Sequence, residues 1–175
     1  IKPMIKYSNG KELVFENPTS DPVEKKNNPG LRSKITVATA GTVEVGRSAT
    51  VHNLHASEVA FFPDATTTML GLLQCVPDTL NSCVILESTA NGVGGYFYDM
   101  WQKAVRGEND FIPLFYPWFT DKSYTRPFTS ENEKEYFAST LNEYERTLME
   151  TNNLTLEQMN WRKYTIANKC QGDVE

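Results

Sequence analysis

Polar and apolar positions change period several times along the chain, and each change marks an element. Residues 4–16 alternate, Ile5 and Tyr7 with Lys6 and Ser8, before apolar positions return at 13–15. A period of two is that of a half-buried strand. Asn9-Gly10 between the runs predicts a hairpin closed by a type I′ turn, with both residues at positive φ. Residues 17–34 hold Pro18, Pro22, Pro29, Gly30 and Asn27-Asn28 and read as loop. A short β-rich run follows at 35–39. Residues 49–62 contain another strand, with His52, Leu54, Ala56 and Glu58 on one side. Asp64 then caps a helix over 65–75, stopped by Pro77. Cys83-Val84-Ile85-Leu86 is a continuous apolar run, the pattern of a strand buried on both faces. Residues 88–95 turn, a helix spans 96–105, and 111–119 read as one more apolar strand with prolines at its ends.

The last third has helical period. Ser130-Glu131-Asn132-Glu133 is a capping box, and Phe137, Leu141, Tyr144 and Leu148 recur on one helix face. Thr155-Leu156-Glu157-Gln158 is a second box, opening a helix that carries Met159, Trp161, Tyr164 and Ile166. Strands alternating with helices predict an α/β protein: a mostly parallel sheet flanked by helices, with an N-terminal β-hairpin and a helical C-terminal appendage. The change of pattern divides the chain into 1–128 and 129–175.

Composition narrows the class. The chain has 175 residues, 39% apolar and 22% charged, which is about one domain and excludes disordered and collagen-like chains. No apolar run approaches the roughly 18–20 residues of a membrane span, and no signal peptide is recognisable, so the expectation is a protein that is neither membrane-bound nor secreted. The net charge of −5 argues against coating nucleic acid through overall charge. Lys2, Lys6, Lys11, Lys25, Lys26, Arg32 and Lys34 nevertheless tilt the first 34 residues positive. Three cysteines without Cys-x-x-Cys spacing point to a reducing compartment. His52 and His55 fall on opposite faces of a strand, which disfavours a chelating pair, and no direct metal ligand is assigned. A chain that starts at Ile1 rather than Met reads as an excised piece.

Two strand ends carry chemistry. Val51-His52-Asn53-Leu54-His55-Ala56-Ser57-Glu58 delivers a carboxylate at the end of a β segment. Val84-Ile85-Leu86-Glu87-Ser88-Thr89-Ala90-Asn91-Gly92 delivers hydroxyls and an amide into a Gly-rich turn before a helix. Ligands of open parallel sheets bind beyond the carboxyl ends of strands, so both motifs point at one crevice. Backbone N–H groups of Asn91-Gly92-Val93-Gly94-Gly95, at a helix start, suit phosphate. Two other readings stand beside a nucleotide site. Glu58 and Glu87 at adjacent strand ends could form a carboxylate-pair hydrolase. The aromatic C-terminal helices could belong to a non-catalytic interaction module.

The order of the pieces adds to this. The Asn-Gly hairpin, then Gly46-Arg47-Ser48, then Ser57-Glu58-Val59-Ala60-Phe61, then Glu87-Ser88-Thr89-Ala90-Asn91-Gly92 resembles the large terminase subunit of tailed bacteriophages and prophages, a DNA-packaging ATPase. The likeness runs from about Ile5 into the C-terminal helices. It implies part of a P-loop-NTPase-like (ASCE) fold. In that fold Ser57 would be the nucleotide- and Mg-associated residue of the Walker B end, and Glu58 the carboxylate that polarises the attacking water. Ser88, Thr89, Ala90 and Asn91 would form the coupling motif, and Arg47 the arginine inserted into a neighbouring subunit's site. It further implies ATP and Mg2+ as cofactors of the complete protein. The implied partners are double-stranded DNA, a small terminase subunit, a portal protein and other large-subunit copies, in the cytoplasm of an infected or lysogenic bacterium. The chain departs from the pattern twice. Ser57 stands where the family has Asp, and no G-x-x-x-x-G-K-[ST] loop is present, Gly10-Lys11 being followed by Glu12. The family's phosphate loop lies upstream of the hairpin and its nuclease downstream. The expectation is therefore a fragment of an ATPase domain, inactive alone, with the helices after Ser130 leading toward the nuclease.

Overall fold

The computed structural model describes residues 5–30, 33–40 and 50–170. They form two compact units that divide between Asp110 and Phe111. Residues 111–128 thus cluster with the helices that follow them.

In the first unit, β1 (Ile5–Ser8), β2 (Glu12–Phe15) and β3 (Lys34–Thr36) make an antiparallel sheet in the order β1-β2-β3. The hairpin forms, but not through a type I′ turn: neither Asn9 nor Gly10 has positive φ. The Asn9 side chain closes the loop instead, its Oδ1 accepting from the backbone N–H groups of Lys11 and Glu12, each at 2.7 Å. A side-chain amide that mimics a backbone turn removes the need for the left-handed pair. The proline-rich stretch read as loop contains a short helix, α1 (Pro22–Asn27). Asp21 caps it by accepting from Val23 N at 2.8 Å, and Pro22 occupies its first turn, where a missing N–H costs nothing. Glu16 draws in Lys6 at 3.0 Å and Lys25 at 2.6 Å, tying α1 to the strand beside it. Lys25 foremost, then Lys6, holds the Glu16 carboxyl below its ordinary range.

The same unit contains a parallel pair, β4 (Asn53–Ser57) and β5 (Cys83–Glu87), joined through α2 (Ala65–Leu73). After β5 comes α3 (Gly95–Val105). Asp64 caps α2 by accepting from Thr67 N at 3.3 Å. Ala56, Val59 and Met69 form the core, with Leu54, Leu72, Leu86 and Phe97 packed on it. Val59 and Met69 are fully buried, each contributing about 1.5–3 kcal/mol. The expectation that β5 is buried on both faces does not hold: Val84 and Leu86 are partly buried, but Cys83 and Ile85 on the other face are exposed. Nor is the sheet mostly parallel among the described residues, where one sheet is antiparallel and the other a two-stranded parallel pair. The architecture is mixed α/β.

The second unit is helical: α4 (Glu131–Ser139), α5 (Glu143–Asn152) and α6 (Leu156–Lys169). The strand expected over 111–119 is absent, replaced by an extended segment and a 3-10 turn, Trp118–Thr120. Pro113 and Pro117 remove two ladder donors, and Ile112, Leu114 and Tyr116 stay exposed. Beyond it, the indole of Trp161 stacks with Trp118 at 5.3 Å and with Tyr124 at 4.4 Å. The single face from Phe137 to Leu148 is broken into two helices, because Asn142 and Glu145 form a capping box that restarts the chain. Leu141 is buried in the break, with Leu154 and Met159, while Tyr144 is exposed. The box predicted at Ser130 is half made. Ser130 Oγ accepts from Glu133 N at 3.2 Å, but the Glu133 carboxylate turns to Thr129. The box at Thr155 and Gln158 is complete. No helix among the described residues is long and apolar enough to cross a membrane.

Candidate functional site

The site is built by register. β4 and β5 run parallel with Ser57 opposite Glu87, so the two motifs end side by side at the carboxyl edge of the pair. Strand alternation puts Ala56 inward and Ser57 outward, and would next put residue 58 inward and 59 outward. The observed order is reversed: Glu58 is exposed and Val59 is fully buried. A left-handed backbone at Glu58, φ 59° and ψ 41°, makes the switch. Glu58 therefore does not share a side with Leu54 and Ala56 as simple periodicity predicts. A bulky residue held at positive φ costs on the order of 1–3 kcal/mol and persists where the surroundings enforce it, most often at functional sites.

Those surroundings are the 88–91 segment. Glu58 Oε2 accepts from Thr89 Oγ1 at 3.2 Å, Ser88 Oγ at 3.3 Å and, at the long limit, Thr89 N at 3.4 Å. Ser88 Oγ also accepts from Ala60 N at 3.2 Å, and Asn91 Nδ2 donates to the Ala60 carbonyl at 2.9 Å. The side chains of Ser88, Thr89 and Asn91 thus all engage the turn that carries Glu58. Ala90, exposed beside them, has no hydrogen-bonding side-chain group.

Ser57 and Glu87 form a separate set. The Ser57 hydroxyl donates to Glu87 Oε1 in a short hydrogen bond, and His55 Nε2 lies 3.8 Å from the same oxygen. The two carboxylates raised as a hydrolytic pair are therefore each engaged by different partners. The pairing of Ser57 with Glu87 and the part of Ala60's backbone were not legible in the motifs. The signal was the thirty-residue spacing, which becomes exact register only once the strands are paired. Arg47 lies outside the described residues.

Beyond Asn91 the chain turns through Gly92, φ 71°, and Gly94, φ 150°. A Cβ at either would meet nothing within 4 Å, so the backbone conformation and not crowding selects glycine. The first turn of α3 has no side-chain cap and no acidic residue. Its N–H groups suit an anion. Magnesium favours hard oxygen ligands and binds through one or two carboxylates together with substrate phosphates. The carboxylates of Glu58 and Glu87 and the hydroxyls of Ser57, Ser88 and Thr89 fit that chemistry. Among the described residues no group of three or more His, Cys, Asp or Glu could hold a metal unaided. Neither a family model nor a curated protein matches the chain.

Proposed function

We propose that these residues form the Walker B and coupling part of a DNA-packaging ATPase of the terminase large-subunit kind. The observation that carries the reading is the hydrogen-bonded meeting of Glu58 with Ser88 and Thr89 at the carboxyl ends of two paired parallel strands. In this reading Glu58 orients the water that attacks the γ-phosphate. Thr89 and Asn91 register the phosphate: any change in their hydrogen bonding passes directly to Glu58 or to the Ala60 carbonyl. Arg47 stabilises charge on a neighbouring copy's nucleotide, a part worth on the order of 10³–10⁵ in rate for such arginines. Bound magnesium neutralises phosphate charge. Phosphoryl transfer asks the protein for positioning and charge rather than covalent chemistry, and these residue types supply both.

The phosphate cradle must come from residues outside these 175, and the proposed partners are double-stranded DNA, the small subunit, the portal and other copies of the large subunit in a bacterial cytoplasm. The separate partner sets of Glu58 and Glu87 favour this reading over a carboxylate pair. The test is ATP turnover by the 175 residues and by the polypeptide extended upstream through a phosphate loop. The first is expected to be inactive and the second active. Glu58→Gln in the second should lower turnover by about 10²–10⁴, the range for a positioned base. Normal turnover with Gln at 58 would remove Glu58 from the water-orienting role.

A further inference from the structure

We infer that Glu87, oriented by the Ser57 hydroxyl, is the carboxylate that holds the magnesium ion at this site, in the place of the acidic side chain that position 57 lacks. The inference rests on the ATPase reading. Ser57 and Glu87 face each other across the parallel pair, about one strand spacing of 4.8 Å apart. A glutamate reaches further than an aspartate, and the hydrogen bond from Ser57 Oγ to Glu87 Oε1 draws it toward position 57. The bond uses the one proton that a serine hydroxyl can donate. Among the described residues, Oε2 of Glu87 accepts no hydrogen bond. The side chain is about half exposed, 53%, so it meets a hydrated cation without first having to be uncovered.

Charge decides the assignment between the two glutamates. In the proposed reading Glu58, positioned by two hydroxyls and an amide of the 88–89 segment, gives its charge to the attacking water. Among the described residues Glu87 has one neutral donor and, 3.8 Å away, the exposed imidazole of His55. A serine at 57 removes one negative charge from the strand end, and Glu87 restores it one strand over. Magnesium that keeps most of its waters and touches one carboxylate and the nucleotide phosphates needs no more from the protein. The competing account makes Glu87 a structural partner of His55 and Ser57. In that case its loss acts on the fold equally with and without metal.

The experiment measures binding of the β,γ-imido analogue of ATP to the full-length polypeptide by calorimetry, with and without Mg2+. Electron paramagnetic resonance of Mn2+ in the same complex is the second readout. Mg2+ is expected to tighten binding in the unaltered protein. Glu87→Gln should lose on the order of 10–100-fold of that magnesium-dependent gain and weaken Mn2+ occupancy, with the metal-free affinity as internal reference. Adding Ser57→Asp to Glu87→Gln should restore the gain, which a misfolded variant could not do. Retention of the full gain in Glu87→Gln, or an equal loss with and without metal, would overturn the assignment while leaving the ATPase reading intact. If the unaltered protein failed to bind the analogue under either condition, that would overturn the ATPase reading, and this inference with it.

Discussion

Two glutamates, one in each unit, show how the same side chain is put to opposite uses. Glu145 is 6% exposed. It accepts from Asn142 N at 3.0 Å, meets Lys163 Nζ at 3.0 Å and lies 4.0 Å from Arg162. Its own backbone N–H donates to Asn142 Oδ1 at 2.8 Å. Its charge is answered by cations and its geometry by a capping box on an ordinary helical backbone. Glu58 is exposed, sits in the left-handed region and, among the described residues, is held by neutral donors from the segment after β5. Buried charges demand partners of opposite sign, and a carboxylate so paired has nothing left to offer a ligand. One held by hydroxyls, at the open end of a parallel pair, keeps its charge available.

The largest test of that contrast is stability. Glu145→Gln leaves Lys163 and Arg162 without their counter-charge. The expected loss is about 2–3 kcal/mol, below the 3–5 kcal/mol of fully buried pairs because Lys163 is partly solvated. Glu58→Gln keeps an acceptor oxygen for Ser88 and Thr89 and should change stability by less than about 0.5 kcal/mol, in the range of ordinary surface changes. Chemical denaturation of both variants checks the pair. Equal destabilisation would mean that Glu58 holds the strand end together and does little else.

Backbone strain gives a smaller and reciprocal effect. Asn153 occupies the left-handed region at φ 52° as the C-cap of α5, where Asn is well tolerated. Glu58 occupies it where a long side chain is not. Glu58→Asn is expected to raise stability by about 1 kcal/mol, and Asn153→Glu to lower it by about the same. Thermal melts of the two variants read the sign directly. Loss of stability on Glu58→Asn would show that the hydrogen bonds to Thr89 and Ser88 outweigh the strain, and that the left-handed turn is not retained for function.

The elements that local chemistry punctuates were legible in the sequence. Asp64, Thr155 and Gln158 mark helix starts that the structure reproduces, and the two motif-bearing strands end near where the motifs do. Elements that depend on partners distant in the chain were not. The 111–117 run has strand composition but joins neither described sheet, and Cys83 and Ile85 are apolar yet exposed. The break at Asn142 was missed because apolar spacing continued smoothly across it, although the Asn-x-x-Glu box was in view. At the site, the convergence of residues 57–58 with 88–91 followed from both motifs falling at the carboxyl ends of strands in a parallel arrangement. The flip at Glu58 did not, since it arises from burial of Val59, which alternation assigns to the opposite side.

The smallest effect concerns pH and extends the contrast to exposed pairs. Lys134 Nζ meets Glu157 Oε1 at 2.9 Å, joining α4 to α6. Lys134 foremost holds the Glu157 carboxyl below its ordinary range, and Glu157 raises the Lys134 ammonium. For the glutamate, stability is in place above its unfolded value of 4.5 and is lost as pH falls through the lowered folded value. For the lysine, stability is in place below its unfolded value of 10.5 and is lost as pH rises through the raised folded value. The pair therefore stabilises the helical unit between those limits and fades at both ends. Glu157→Gln should flatten both flanks of the melting temperature against pH while leaving the middle lowered only slightly, since exposed pairs are weak. Unchanged flanks would show that Lys134 and Glu157 meet without coupling. Among the described residues, the ion pairs left to the helical unit would then be those of Glu145 with Lys163 and Arg162.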